Sequence, residues 1–513
     1  MLELPLMVTY LLTVQLPSPP PPLRFAPDTT VIAGPARPDG TPDYAAYLNE
    51  RFGVGVEPQT NFAVDLFATM SVERFGDDFD PIARLTSMGV DDPEARFDPL
   101  PELPDTIFFL PSVPWTAADH PDEARWLADH AGLLDRLAEA TRKPHYFVPF
   151  TNGADEPLIG TLLPHLGHGR SIARLWRARA MHRLGEGDPE AAWADNLAAY
   201  RLGRHMRRGV LIDHLVGISI EALSNGLLEE LLASPDLTPA MARRMAQDLA
   251  ALPPVRPLTE TYEFHERFGS LDAMVFAISK PDALRDLGLG DIAAINRVAP
   301  LRGLDLNVIL RRVNRHYDEL ERVSRLEDPL EKIAAIERWD ESIEAVRQHT
   351  QQVMFRPEVM AVVTHGPRPL SRWAVSHFVG DLLTGILLPA LGAANRTEDQ
   401  ARQVTAIAPV AIAVAGYRAE HGNYPEALDD LVPDWLDAVP IDGYSGEPLR
   451  YVVIDGRPVI YSVGPDLEDD GGVANERKEE DSGLVIGGDP EDEVIEDTPA
   501  GQGFGAPAAY GAQ

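Results

Sequence analysis

The sequence predicts a predominantly α-helical α+β protein: a large helical domain followed by a unit that joins a long helix to a small antiparallel sheet. Three observations predict it. Apolar residues recur at helical spacing from Ile172 to about Leu252 and again over 258–350. Those runs open on helix-start signals such as Asp188-Pro189 and Thr238-Pro239. Only after residue 440 does the pattern change to short runs of β-forming residues, joined by Asp455-Gly456, a strong hairpin signal.

The elements follow in order. The first residues, "MLELPLMVTYLLTVQL", are apolar and lead into "PSPPPP", a stiff polyproline spacer. Residues 1–16 lack the basic start and small-residue cleavage site of a secretory signal, and Glu3 stands where a positive charge is expected. A helix of that length reaches about 24 Å, short of the roughly 30 Å hydrocarbon core. Residues 1–16 are therefore a candidate for membrane association as part of an anchor, or else a frayed apolar start. In "TTVIAGPARPDGTPDYAAYLNERFG" a short extended run ends at Gly34-Pro35. Asp43 then caps a helix carrying Tyr44, Tyr47, Leu48 and Phe52. Residues 76–120, rich in Asp and Pro, read as long loops wrapped on a core.

"IARLWRARAMHRLGEG" and "DPEAAWADNLAAYRLGRHM" form a helical hairpin, the second helix with Asp188 as N-cap and Pro189 at its first position. A single copy supports no repeat array. "VLIDHLVGISIEALSNGLLEELL" is apolar on nearly all sides and is expected to be buried. Thr238-Pro239 opens the next helix, and "VILRRVNRHYDELERVSRL" and "PLEKIAAIERWDESIEAVRQ" continue the bundle. The chain divides into 1–24 (apolar segment and spacer), 25–160 (mixed, loop-rich), 161–370 (helical domain), 371–472 (C-terminal module) and 473–513 (acidic tail, expected to be disordered).

Composition excludes several functions. A formal net charge of −35 argues against nucleic-acid binding, which needs a basic face. Part of that charge is local, with 14 acidic and 2 basic residues from Asp466 to Asp497. The absence of cysteine removes disulfides, iron–sulfur clusters and thiol nucleophiles. No HExxH, P-loop, GxSxG, GxGxxG or repeated ExxH motif occurs. Two constellations remain. Asp213, His214 and Glu221 lie on the apolar third helix, His214 and Glu221 on one face, with Arg201 and Arg204 as expected partners. His265 stands among Glu260, Glu263 and Glu266, which reads as a solvated helix face. Neither argues for an enzyme, and no catalytic residue is assigned.

The C-terminal quarter carries more. "WAVSHFVGDLLTGILLPALGAAN" (Trp373–Asn395) is apolar around Asp381, and the polar "RTEDQARQ" follows. It either spans a membrane, with Asp381 costing roughly 3 kcal/mol, or packs against the helical domain, which is the expected outcome. "VTAIAPVAIAVAGYRAEHG" is a helix ended by Gly422, with His421 as a charge at its C-terminus. "YPEALDDLVPDWL" is a second short helix starting at Pro425. Strands are expected over Leu449–Ile454 and Pro458–Val463. This order of elements resembles the globular part of the type II secretion major pseudopilins. The resemblance rests on "YRAEHGNYPEALDDLVP", "VPIDGYSGEPLRY" and "IYSVGPDLEDDGG" and covers residues 375–472. It implies a long helix, kinked at Pro389, leaning on a small sheet. It also implies calcium in the loop after the last strand, with Asp466, Asp469 and Asp470 as ligands and backbone near Ser462 contributing. The family's Gly-Phe-Thr-Leu-Ile-Glu processing site has no counterpart before Val375, where "THGPRPLSRW" stands. The module is therefore expected to be kept as a folded unit outside a filament.

These features lead to the expectation of a non-enzymatic cell-envelope protein, a helical scaffold bearing a pseudopilin-like module, with secretion components as partners and calcium as the one cofactor. The alternatives are a hydrolase or other enzyme with a dispersed site in the helical domain, and a cytoplasmic helical adaptor. A deep pocket lined by His214, Glu221 and an arginine would favour the enzyme.

Overall fold

The computed structural model describes residues 19–71, 79–152, 156–161, 163–280, 303–354, 372–388, 391–472 and 482–487. Residues 1–16, Pro389 and most of the acidic tail, on which expectations were placed above, lie outside the described residues.

The predominantly helical α+β class is found. One device starts many helices: an Asp or Thr side chain caps the free N–H groups while proline, which has none to leave unsatisfied, takes the first helical position. It opens α3 (Pro81–Ser87), capped by Asp80, and a single turn at Pro93–Arg96, capped by Asp92. Residues 79–120, read as loops, therefore hold short helices between their loops. The expected extended run is broken at its start by a turn that includes Thr29 and Thr30, with Val31 at φ 64°. Asp43 caps α1 (Tyr44–Phe52) as expected, and α2 (Phe62–Ala68), α4 (Pro121–Asp129) and α5 (Ala131–Ala140) complete this region.

The central hairpin comprises α6 (His165–Gly185) and α7 (Pro189–Met206), followed by α8 (Leu211–Ala233) and α9 (Pro239–Ala250). α7 packs on both α6 and α8. The fully buried Trp176 sits in their core, its indole N–H donating to the Leu134 carbonyl at 3.3 Å. Asp195 of α7 is also buried. It accepts from Arg179 Nε at 3.0 Å and Nη2 at 2.5 Å and from Arg183 at 2.6 Å.

A short helical turn at Leu258–Glu260 runs into a π-helical turn, Thr261–Glu266, and then α10 (Arg267–Ser279). The extra residue in such a turn rotates the following side chains out of α register. α11 (Leu306–Ser324), α12 (Pro329–Met354) and α13 (Arg372–Leu387) pack together. With α10, Tyr44 and Leu48 they form one hydrophobic cluster. Asp381 of α13 forms an ion pair with Arg312 of α11.

α14 (Leu391–His421) begins inside the stretch read as apolar and passes straight through "RTEDQARQ". The polar residues stay helical because groups on neighbouring helices meet them. Asp399 accepts from Lys332 at 2.6 Å, Arg396 lies 3.3 Å from Asp340, and Glu398 is buried against α7 and α8. Gly422, at φ 84°, stops the helix. Among the described residues two segments, Leu211–Ala233 and Arg372–His421, are long and apolar enough to cross a membrane, and both are mostly buried inside the fold.

The second short helix expected from Pro425 is only a 3₁₀ turn, Leu428–Leu431. Asp430 explains it: its carboxylate accepts the Glu426 and Ala427 N–H groups at 2.9 and 3.1 Å, so local bonding competes with the helix. The sheet is antiparallel in the order β1 (Arg450–Ile454), β2 (Arg457–Ser462), β3 (Ser482–Val485). Asp455 and Gly456, both at positive φ, make the β1–β2 turn. β3 lies within the stretch read as tail; Leu484 and Ile486 alternate inward and are buried. α14 covers β2 and β3 and also packs on α8 and α9. A second hydrophobic cluster accordingly joins residues of 62–249 to residues of 407–486.

Candidate functional site

The sequence singled out His214 and Glu221, and the structure brings both into one closed charge cluster. Arg204 and Arg207 lie at the C-terminal end of α7, His214 and Glu221 on one face of α8, and Glu398 and Arg402 on α14. Arg207 is central: it donates to Glu221 Oε2 at 2.9 Å and hydrogen-bonds Glu398 Oε2. His214 Nε2 lies 2.8 Å from the same Glu398 oxygen, and its Nδ1 is 3.2 Å from the Arg207 carbonyl. Arg402 Nε donates to Glu398 Oε1 at 2.8 Å. Arg204 pairs with Glu221 at 3.4 Å, as expected, but Arg207 takes the place assigned to Arg201. Arg207 and His214 are 0% exposed, Glu398 1% and Glu221 3%, so these four groups are sealed from solvent, while Arg402 caps them from the exposed surface.

Two glycines permit this geometry. Where α7 and α8 cross, a Cβ on Gly217 would lie 2.5 Å from Arg207 Cγ and 2.6 Å from the Gly203 carbonyl oxygen. A Cβ on Gly203 would lie 2.7 Å from Glu221 Cγ. Only bare backbone lets the two helices approach closely enough for Arg207 to reach Glu221. The two carboxylates around Arg207 are driven apart in acidity. Burial raises the Glu221 pKa despite the neighbouring guanidiniums. Burial acts on Glu398 the same way, but the His214 hydrogen bond and the Arg207 and Arg402 guanidiniums outweigh it and hold the carboxyl at about 2. Such a cluster has no room for a substrate. Its effect is to tie α14 to the helical hairpin.

Asp213, next to His214, faces elsewhere. Its Oδ1 lies 2.7 Å from His165 Nε2 and its Oδ2 accepts the Val210 N–H at 2.9 Å. This pair lines a cavity of about 220 Å³. Phe52, Phe67, Tyr146, Phe147 and Phe150 supply its apolar walls. Its polar rim includes Arg84, Arg208, Arg256, His145 and His265. His214 and Glu221 do not line it.

The π-helical turn is what delivers His265 to this cavity. The expectation of a solvated face around His265 is therefore corrected. His265 is buried, stacked on Phe52 at 5.0 Å, and burial, with Arg256 nearby, depresses its pKa to about 3. The three carboxylates scatter. Glu260 pairs with Arg256 at 2.9 Å, Glu263 with Arg325 at 3.3 Å, and Glu266 accepts the Leu211 N–H at 3.0 Å. Burial, with the Asp213 charge adding to it, pushes Glu266 up to about 7. A carboxyl with a raised folded pKa keeps its proton longer than in the unfolded chain. Its contribution therefore falls as pH rises from about 4.5 to about 7. Glu266→Gln is expected to match the wild type at pH 5 and to be more stable by about 1–3 kcal/mol at pH 8. Urea unfolding of both proteins at the two pH values checks this; an unchanged difference contradicts it.

In the loop after β2, Asp469 accepts from the Tyr461 hydroxyl at 2.9 Å and faces Arg450 at 3.9 Å. Asp466 accepts the Glu468 N–H at 3.1 Å. Among the described residues no group of three His, Asp or Glu side chains is placed to hold a metal ion. His421 closes α14 with its ring stacked on Tyr417 at 4.1 Å and Nδ1 3.1 Å from the Tyr417 carbonyl. No protein family, curated protein or solved structure matches this chain.

Proposed function

We propose that the chain is a non-enzymatic cell-envelope protein, a helical scaffold that carries a type II secretion pseudopilin-like module. The observation that carries this proposal is the sealed Glu398–Arg207–Glu221–His214 cluster. It joins the long helix of the module to the hairpin of the scaffold through buried ion pairs. The module's own order supports the likeness. Buried Asp442, from "VPIDGYSGEPLRY", accepts from the Ser462 hydroxyl at 2.6 Å and the Val463 N–H at 3.2 Å, both from "IYSVGPD". A helix wedded to a scaffold in this way is not available to stack in a filament core. The test is affinity purification of the tagged full chain from fractionated cells. Recovery from the envelope with secretion components supports the proposal. Cross-linking of the chain into a pilus-like filament, or its recovery only from the cytosol, overturns it.

Calcium belongs to the same proposal through the resemblance alone, and backbone oxygens of the loop would have to supply most of the ligands for Asp466, Asp469 and Asp470. A rise in Tm on adding millimolar calcium supports that part; an unchanged Tm removes it.

The enzyme reading has one observation in its favour, the cavity with His165 paired to Asp213. A base held by a carboxylate still needs a nucleophile or an activated water. The hydroxyl of Thr161, which lines the cavity, is spent on Asn152 and the Leu158 carbonyl, each at 2.8 Å. The geometry there favours binding over covalent catalysis.

A further inference from the structure

We infer that the cavity between α1, α2, the start of α6 and the α7–α8 junction is a binding site for a small organic anion, a carboxylate carried on a single aromatic or short apolar body. Nothing in the scaffold proposal requires it, and neither Glu398 nor its partners line the cavity, so the two stand or fall separately.

Charge is the first argument. In a chain of net charge −35, the lining carries three arginines against one carboxylate, Asp213. Asp213 is taken by His165 and the Val210 N–H, and Arg256 is taken by Glu260. Arg84 and Arg208 remain. Arg84 donates to the Pro149 carbonyl at 3.2 Å and Arg208 to the Pro144 carbonyl at 2.6 Å, and neither forms an ion pair among the described residues. Both are half-buried, and burial lowers the pKa of each. Their hydrogen bonds go to neutral carbonyls, with the Glu156 charge acting on Arg84 from beyond ion-pair distance, and an arriving anion offsets the desolvation of both with charge-assisted hydrogen bonds.

Unmet hydrogen-bonding capacity is the second. His165, 3% exposed, and His265, 8% exposed, both line the cavity, and the Nδ1 atom of each is buried without a partner. Buried polar atoms left unpaired in this way are uncommon and call for an explanation. Both rings border the cavity, and a bound carboxylate that draws either ring toward it would supply the missing partner.

Shape is the third. The cavity is smaller than the roughly 300–1,000 Å³ of pockets for drug-sized ligands, and its aromatic walls suit one ring. A lining that holds both arginines and phenylalanines fits a molecule with a charged head and an apolar body.

The probe is 3-phenylpropionate, titrated calorimetrically into the full chain, with the neutral amide 3-phenylpropionamide and inorganic phosphate as comparisons. The expected result is one saturable site for the carboxylate, with the amide and phosphate each bound at least about tenfold more weakly. Arg208→Gln and Arg84→Gln are each expected to weaken carboxylate binding about tenfold while keeping the wild-type Tm within a few degrees. Two variants on different elements guard against one of them misfolding. Absence of carboxylate binding, equal affinity for the amide or phosphate, or wild-type affinity in both folded variants overturns the inference.

Discussion

Glu398→Ala is expected to destabilise the folded chain by about 3–5 kcal/mol. The side chain removed is small, but it leaves two cationic-capable groups, Arg207 and His214, without their shared acceptor in a place water does not reach. A buried ion pair adds little when compared with well-packed apolar residues, whereas breaking one strands the surviving charge. The loss should depend on pH with a defined sign. Because the folded-state Glu398 carboxyl lies near 2, its contribution is full above about 4.5 and disappears as pH falls from about 4.5 to 2. Urea unfolding at pH 7 and pH 3 should therefore show a large gap between wild type and variant at the first and a clearly reduced one at the second. A difference below about 1 kcal/mol at pH 7 would mean the cluster is not what holds α14 in place.

The second large effect is at Gly217. Within a helix, alanine is normally favoured over glycine by about 0.5–1 kcal/mol. At Gly217 the new methyl group would meet the Gly203 carbonyl oxygen at 2.6 Å, a backbone atom that can move only if α7 and α8 separate. Overpacking of that kind costs roughly 1–3 kcal/mol, and it also pulls Arg207 away from Glu221. Gly226, on the same helix, has nothing within 4 Å of its would-be Cβ. Gly217→Ala should therefore lower the Tm and Gly226→Ala should raise it slightly, although the chemical change is identical. Equal shifts in the two variants would show that the helix crossing is looser than described.

Much of the helical architecture was legible because its signals are local. Asp188-Pro189 and Thr238-Pro239 mark helix starts whether or not the rest of the chain is known. Asp80-Pro81 and Asp92-Pro93 carry the same signal and could have been read the same way, which would have replaced loops by short helices. The hairpin at Asp455-Gly456 was equally plain. The start of α14 was not, because "RTEDQARQ" looks like a linker until its partners Lys332, Asp340 and Arg207 are in view. β3 was hidden by the acidic residues flanking it, although Leu484 and Ile486 keep a strand alternation.

The site was half legible. An apolar helix bearing His214 and Glu221 announces that something must satisfy them. Their decisive partner, Glu398, is 191 residues from Arg207, and no local pattern points to it. The cavity escaped for a different reason. Its lining comes from eight separate stretches, and the π-helical turn that moves His265 inward has no sequence signature of its own.

The central claim is that Glu398 and Arg207 act together to lock the C-terminal module onto the helical hairpin. A double-mutant cycle tests it most directly, with urea unfolding of the wild type, Glu398→Ala, Arg207→Ala and the double variant at pH 7. Coupling of about 2–3 kcal/mol is predicted, the double variant costing much less than the sum of the singles. Simple additivity, with coupling below about 0.5 kcal/mol, would contradict the account.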